Sequence, residues 1–325
     1  MHIGSRHMTK LTRQDIYDTA KELSNWGRWG KDDQIGTLNN VTPEDVIAAG
    51  RLIKKGKTFA LGLDLKEKIQ SGLFGGRWNM IHQMLATGTD AVTGEQDGDG
   101  KAYLRYADDA INLPCQGSTQ WDALCHIFLD DKMYNGFPAT DVTVNGAKNL
   151  GIENVRDKMV GRGVLLDIAR WKGVDSLDDG YPITNDDLDE CAAAQGVDIR
   201  KGDFVIVRTG HQERCLAAGD WTGYAGGDAP GLSFETAHWI KKNDIAAICA
   251  DTWGCEVRPN ESEEANQPWH WVVIPAIGIS MGEIFYLKDL SEDCAEDGVY
   301  EFFFTAPPLH IPGAAGSPIN PQAIK

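Results

Sequence analysis

The sequence predicts a single mixed α/β domain. Three observations carry this. Short apolar strands are interleaved with capped helices. The composition, 42% hydrophobic and 24% charged, is that of an ordinary globular chain. The 325 residues contain no internal repeat and no long low-complexity linker, and they are enough to bury one sizeable core. Residues 9–325 are read as one catalytic-sized domain. Residues 1–8, MHIGSRHM, resemble a cloning remnant, so His2 and His7 are set aside as ligands.

The elements follow in order. Thr12 caps a helix over residues 12–23, with Ile16, Ala20 and Leu23 at helical spacing. Thr42-Pro43-Glu44-Asp45 starts a second helix that runs to about Ile53, with threonine as cap, proline in the first turn and Asp45 closing a capping box. Residues 71–109 read as loop-rich, with an exposed Gly/Asp stretch at 94–100. Residues 164–168 form a short apolar strand, and Thr184 to Asp187 cap a helix over 188–195. Gly202-Asp203 turns into a strand over 204–208, and a capped helix covers 233–242. Residues 245–250 and 271–279 are continuous apolar strands, and 302–304 a last one. Gly72, Gly75 and Gly76 lack both the GxGxxG spacing and the flanking elements of a dinucleotide-binding turn.

Lys and Arg number 31 against 48 Asp and Glu, a net charge of −17. Such a surface repels phosphate backbones and anionic membranes, so nucleic-acid and membrane partners are not expected. No apolar run approaches the roughly 18 residues of a membrane span. The seven cysteines are odd in number and form no CxxC pair, which argues for reduced thiols in a cytoplasm and against a zinc ribbon.

The chemistry concentrates in residues 115–128, CQGSTQWDALCHIF. In an extended segment Gln120, Asp122, Leu124 and His126 point to one side, and Trp121, Ala123 and Cys125 to the other. Asp122 and His126 would then have Cα atoms roughly 13 Å apart. A bend is needed before both can serve one site.

This segment resembles the signature HxGTHxDxPxH of the cyclase family, which includes kynurenine formamidases and isatin hydrolase-like enzymes. Asp122 falls on its aspartate, Thr119 on its threonine and His126 on its last histidine. Gln116 and Gln120 stand at its first two histidines, Ser118 at its glycine and Leu124 at its proline. Further blocks extend the resemblance over about residues 26–290: the glycine–arginine strand 161–167, the GD…RTG strand 202–210, Pro230-Gly231-Leu232, Ala250-Asp251-Thr252, and His270 with Glu283.

The resemblance implies a mixed β-sheet or barrel core with surrounding helices. It also implies a metal site built from Asp122, His270 and Glu283, with His126 as general base or acid and Asp122 and Gln120 beside it. Two glutamines in place of imidazoles move the preference from zinc toward the harder manganese or magnesium. The other reading is that no metal is bound and the amides donate to a substrate oxyanion. Gln116, His82, Trp78, Trp121 and Arg208 are candidate substrate contacts. The function implied is hydrolysis of a small amide, lactam, lactone or ester, on carbon–nitrogen bonds other than peptide bonds or on cyclic esters. The alternatives are a metal-independent cyclase or lyase, or a small-molecule-binding member without turnover. A cyclic or aromatic small molecule is the expected substrate. A homodimer or homotetramer is the expected assembly.

Overall fold

The computed structural model describes residues 10–71, 75–99, 101 and 103–325, so the 1–8 segment, Gly72 and Gly100 lie outside the described residues. In chain order the longer strands are β1 (Thr58–Ala60), β2 (Ile81–Ala86), β3 (Asp108–Asn112), β4 (Gln120–Asp122), β5 (Val160–Asp167) and β6 (Phe204–Arg208). They continue with β7 (Ala247–Ala250), β8 (Ser280–Glu283), β9 (Glu301–Thr305), β10 (Gly316–Pro318) and β11 (Gln322–Ile324).

Nine of them form one sheet in the order β1-β11-β9-β5-β6-β7-β8-β4-β10. Strands β5 to β8 run parallel. Antiparallel strands extend the sheet on both sides: β4 and β10 beyond β8, and β9, β11 and β1 beyond β5. The sheet curls into a half-barrel with helices around it, the mixed α/β core that the sequence predicts. Strands β6 and β7 are buried throughout, which is why they read as continuous apolar runs rather than alternating ones. Gly163 allows β5 to lie against β9, since a Cβ there would come within 2.2 Å of the Phe302 ring. The Arg162 guanidinium ties this layer together by donating to Asp203 at 2.6 Å and Glu301 at 2.7 Å.

Capping boxes form at Thr12/Asp15, Thr42/Asp45 and Thr184/Asp187. The second helix, Pro43–Gly50, stops short of Ile53, and the helix expected over 233–242 is Thr236–Asn243 without a side-chain cap, because residues 233–235 make a turn in front of it.

Two expectations are corrected. Residues 271–279 are not a strand. Pro268 opens a helix, Pro268–Val272, which widens into a π-type turn, Val273–Ile277, and ends on Gly278 in the left-handed region. Apart from half-buried Trp271 the run is buried, so its apolar pattern carries no period to separate helix from strand. Residues 71–109 are not only loop: β2 pairs with β3, and a short helix, Gly88–Thr93, lies between them. Both strands are exposed, so burial imposes no alternation on their sequence.

Among the described residues all seven cysteines are free, and no helix is long and apolar enough to cross a membrane.

Candidate active site

The site forms where the parallel strand β8 meets antiparallel β4. In that register Gln120 lies opposite Glu283 and Asp122 opposite Met281. Side chains two apart share a face, so Gln120, Asp122 and Glu283 all project to one side. Trp121 projects to the other. It is fully buried edge-on to Phe285 and Phe304 and donates its indole N–H to Ala306 O at 2.7 Å, so it belongs to the core rather than to a substrate wall. Thr119 fixes the entry to β4: its hydroxyl donates to Ile284 O at 2.6 Å and accepts Leu63 N–H at 2.8 Å.

β4 lasts only three residues. The chain then turns, with His126 N–H donating to Ala123 O at 2.9 Å. This is the bend that the Asp122–His126 spacing requires. It leaves Leu124 in the core and brings His126 Nε2 to 3.8 Å from Asp122 Oδ1.

His270 arrives from the Pro268–Val272 helix. Its Nε2 lies 3.4 Å from Glu283 Oε1, and its Nδ1 lies 2.9 Å from Glu256 Oε1. The second oxygen of Glu256 accepts the Trp269 N–H at 2.9 Å. A carboxylate at Nδ1 holds the ring so that Nε2 faces Asp122 and Glu283. Glu256 has no period or motif in the sequence, and nothing there singles it out. Asp251, just after the end of β7, accepts from Thr209 N, Thr209 Oγ1 and Gly210 N at 2.7–2.9 Å and does not reach a ring nitrogen of His270 or His126. Burial raises its carboxyl to about 6 even against those bonds.

Asp122, Glu256 and Glu283 are buried carboxylates around one imidazole. Burial and the neighbouring Asp122 charge push the Glu283 carboxyl up. Burial alone would favour neutral His270, but the flanking Glu256 and Glu283 carboxylates reverse this and raise it. Burial holds His126 below its ordinary value. The Asp122 charge opposes this, and the positive charge of Arg77 and His270 adds to it. His126 is therefore a neutral imidazole able to take a proton.

Such a set calls for a cation. Asp122, His270 and Glu283 each offer a ligand atom, all within 4.8 Å of one another. Gln120 donates to Glu283 Oε2 at 2.7 Å and faces Asp122 Oδ1 at 3.5 Å, while its buried Oε1 has no hydrogen-bond partner among the described residues. One nitrogen and several oxygens, including that spare amide oxygen, fit a divalent metal of the harder kind.

The remaining candidates lie apart. Gln116 packs its amide nitrogen beside Gly316 of β10, where a Cβ would come within 2.5 Å of it. Trp78 and His82 belong to the exposed β2–β3 segment, with Trp78 Nε1 donating to Asn112 and His82 Nε2 2.7 Å from Asp109. Arg208 is committed to Asp167 at 2.8 Å and to both oxygens of Glu213, an ion-pair network rather than a substrate contact. Arg77, absent from the sequence-based candidates, stands near the cluster: its guanidinium donates to Gln116 O at 3.3 Å and lies over the Trp253 ring at 5.1 Å. A surface groove of about 690 Å³ between Lys10 and Asn266 contains none of the cluster residues.

Residues 37–257 match the sequence model of the cyclase family. The chain belongs to the cyclase family. A crystal structure described as a novel cyclase is 40% identical, superposes with a TM-score of 0.83, and the match covers 93% of this chain and 99% of that one. Isatin hydrolase A from Ralstonia solanacearum has the same fold at 17% identity and a TM-score of 0.60, covering 88% of this chain and 98% of that one. Isatin hydrolase A from Labrenzia aggregata, bound to benzyl benzoate, does so at 18% identity and 0.58, covering 82% and 93%. No curated protein matches the chain. Within this cyclase the Asp122–His270–Glu283 cluster is a possible acid/His metal site.

Proposed function

We propose that this cyclase-family protein hydrolyses a small-molecule amide, lactam, lactone or ester, with a divalent metal held by Asp122, His270 and Glu283. The observation that carries the reading is the buried cluster of these three residues with the neutral His126 imidazole 3.8 Å from Asp122. A metal bound there would supply Lewis acidity, lowering the pKa of water and polarising the scissile carbonyl. His126 takes the proton of the attacking water and returns it to the leaving nitrogen or oxygen. Asp122 steadies the imidazolium formed in between. Gln120 holds Glu283 in place through its amide N–H. Glu256 fixes the ring of His270. The two isatin hydrolases of the same fold support hydrolysis as the reaction class.

Asp122→Ala and His126→Ala are expected to abolish turnover of a panel of lactams, lactones and amides while leaving the thermal transition in place. Wild-type activity in both variants refutes the reading. Chelation followed by elemental analysis tests the metal: activity that survives in metal-free protein refutes it. We also propose a homodimer or homotetramer, supported by the exposed apolar side chains Ile81, Met84, Leu85 and Ile111 on β2 and β3. A two-stranded ribbon of this kind is marginal on its own.

A further inference from the structure

We infer that the buried amide of Gln212 reads the ligand of this site, and that the ligand is an uncharged molecule presenting an N–H or O–H donor to Gln212 Oε1. The inference rests on the hydrolase reading for its location and narrows the substrate class to donor-bearing amides, lactams and esters.

Ligands of open parallel sheets sit beyond the carboxyl ends of the strands. The parallel neighbours β6, β7 and β8 end at Arg208, Ala250 and Glu283. After β6 the chain turns through Thr209 and Gly210 and enters the helix His211–Ala218, with Gln212 in its first turn. The Asp251 carboxylate fixes this turn by accepting the N–H groups of Thr209 and Gly210. Gln212 is thereby held beyond the carboxyl end of the sheet, the end at which Glu283 stands.

Gln212 is fully buried, where an amide needs partners for its polar atoms. Its Nε2 is turned toward the Tyr224 oxygen without meeting hydrogen-bond geometry, and its Oε1 has no partner among the described residues. The Tyr224 hydroxyl donates to Asp251 O at 2.8 Å and feels the Glu283 charge, so Gln212 stands near the cluster. Two more buried oxygens without a partner among the described residues lie on segments tied to the cluster. One is Thr252 Oγ1, on a residue whose carbonyl accepts Ile284 N–H at 3.1 Å, directly after Glu283. The other is Gln70 Oε1, on an amide whose nitrogen donates to Gly117 O at 3.2 Å, three residues before Gln120. Leu63, Ile69, Tyr224 and Ile284 pack in one apolar cluster, and burying an unpaired charge against such a wall is costly. An amide oxygen only accepts, so the group that completes it is an uncharged donor. A ligand lacking that donor leaves the oxygen unpaired, and sites built on such bonds reject it strongly.

The test titrates the purified protein with indole and with benzofuran, followed by ligand-observed NMR. The two share a shape, but indole carries an N–H donor where benzofuran has an oxygen. The wild type is expected to bind indole at least about fivefold more tightly. Gln212→Met, which keeps the length of the side chain without its acceptor, is expected to bring the ratio to within about twofold of one. Its thermal midpoint should hold or rise, because an amide oxygen without a partner is removed from the interior. Gln212→Glu, which keeps an oxygen in place, is expected to keep the preference. A wild type without indole preference, including one that binds neither probe, overturns the proposal. So does a preference retained in Gln212→Met, or a lowered midpoint in that variant, which marks an amide that braces the fold. Neither probe has a hydrolysable bond. Failure of the hydrolase reading shows in the turnover panel, whereas failure of the Gln212 proposal shows in the binding ratio.

Discussion

Glu256→Gln removes one charge from beside His270 while keeping the length of the side chain. In the native site one oxygen of Glu256 accepts from His270 Nδ1 and the other from Trp269 N–H, both at 2.9 Å. A glutamine has a single oxygen, so one of these contacts becomes donor against donor. Losing a hydrogen bond to a charged group costs about 1.5–3 kcal/mol. Loss of a carboxylate behind a ligating histidine typically weakens metal binding about 10- to 100-fold, or roughly 1.4–2.7 kcal/mol. The two figures agree, so the expected result is a drop of at least tenfold in affinity. The assay is calorimetric titration of chelator-stripped protein with Mn²⁺ and Zn²⁺. The fold should change less, because the substitution also relieves repulsion with Glu283 and Asp122. Metal affinity within about twofold of wild type in a folded variant would refute the assignment of Glu256 to holding the ring.

Three further outcomes are expected. The acid limb of kcat/KM should lie below pH 6.5, because burial and the Arg77 and His270 charges outweigh Asp122 at His126 and hold its imidazole neutral; a limb above pH 7 contradicts this. Burial raises the Asp297 carboxyl, but the hydrogen bonds from Lys325 and Lys55 outweigh it and bring the group from 3.8 to about 2. Its folded value is the lower one, so its stabilisation, on the order of 1–2 kcal/mol, is present above pH 3.8 and is lost as pH falls toward 2. Urea midpoints of wild type and Asp297→Asn should converge there, and a gap independent of pH would contradict the linkage. Gly163→Ala places a Cβ 2.2 Å from the buried Phe302 ring and should cost about 1–3 kcal/mol in a thermal melt, with an unchanged transition as the contrary result.

Much of this was legible where local chemistry decides structure. The capping boxes at Thr12, Thr42 and Thr184 depend on side chains three residues apart, and the spacing of Asp122 and His126 already demanded a bend. His270 and Glu283 were found through the resemblance, yet the helix that carries His270 continues into the apolar run 271–279 that suggested a strand. Beyond half-buried Trp271 the run is enclosed, and enclosure erases periodicity. Arg208 and Trp121 stood as candidate contacts because a polar or aromatic residue near a motif looks the same in sequence whether it faces a pocket, a salt bridge or the core. Glu256 and Arg77 were invisible for a different reason. Their roles arise from tertiary approach, across 14 residues to His270 in one case and from the base of the β2–β3 segment in the other.

The short strand β4 has one more implication. It is clamped between β8 and β10, with Trp121 on one face and Gln120 and Asp122 on the other. Because side chains alternate, a slip of one residue would present an indole to the cluster and drive an amide and a carboxylate into the hydrocarbon core. No partly aligned sheet can assemble the cluster. Turnover would then be a quality control on folding: specific activity per milligram after refolding would count correctly aligned molecules, and near-native but misaligned forms would score as silent.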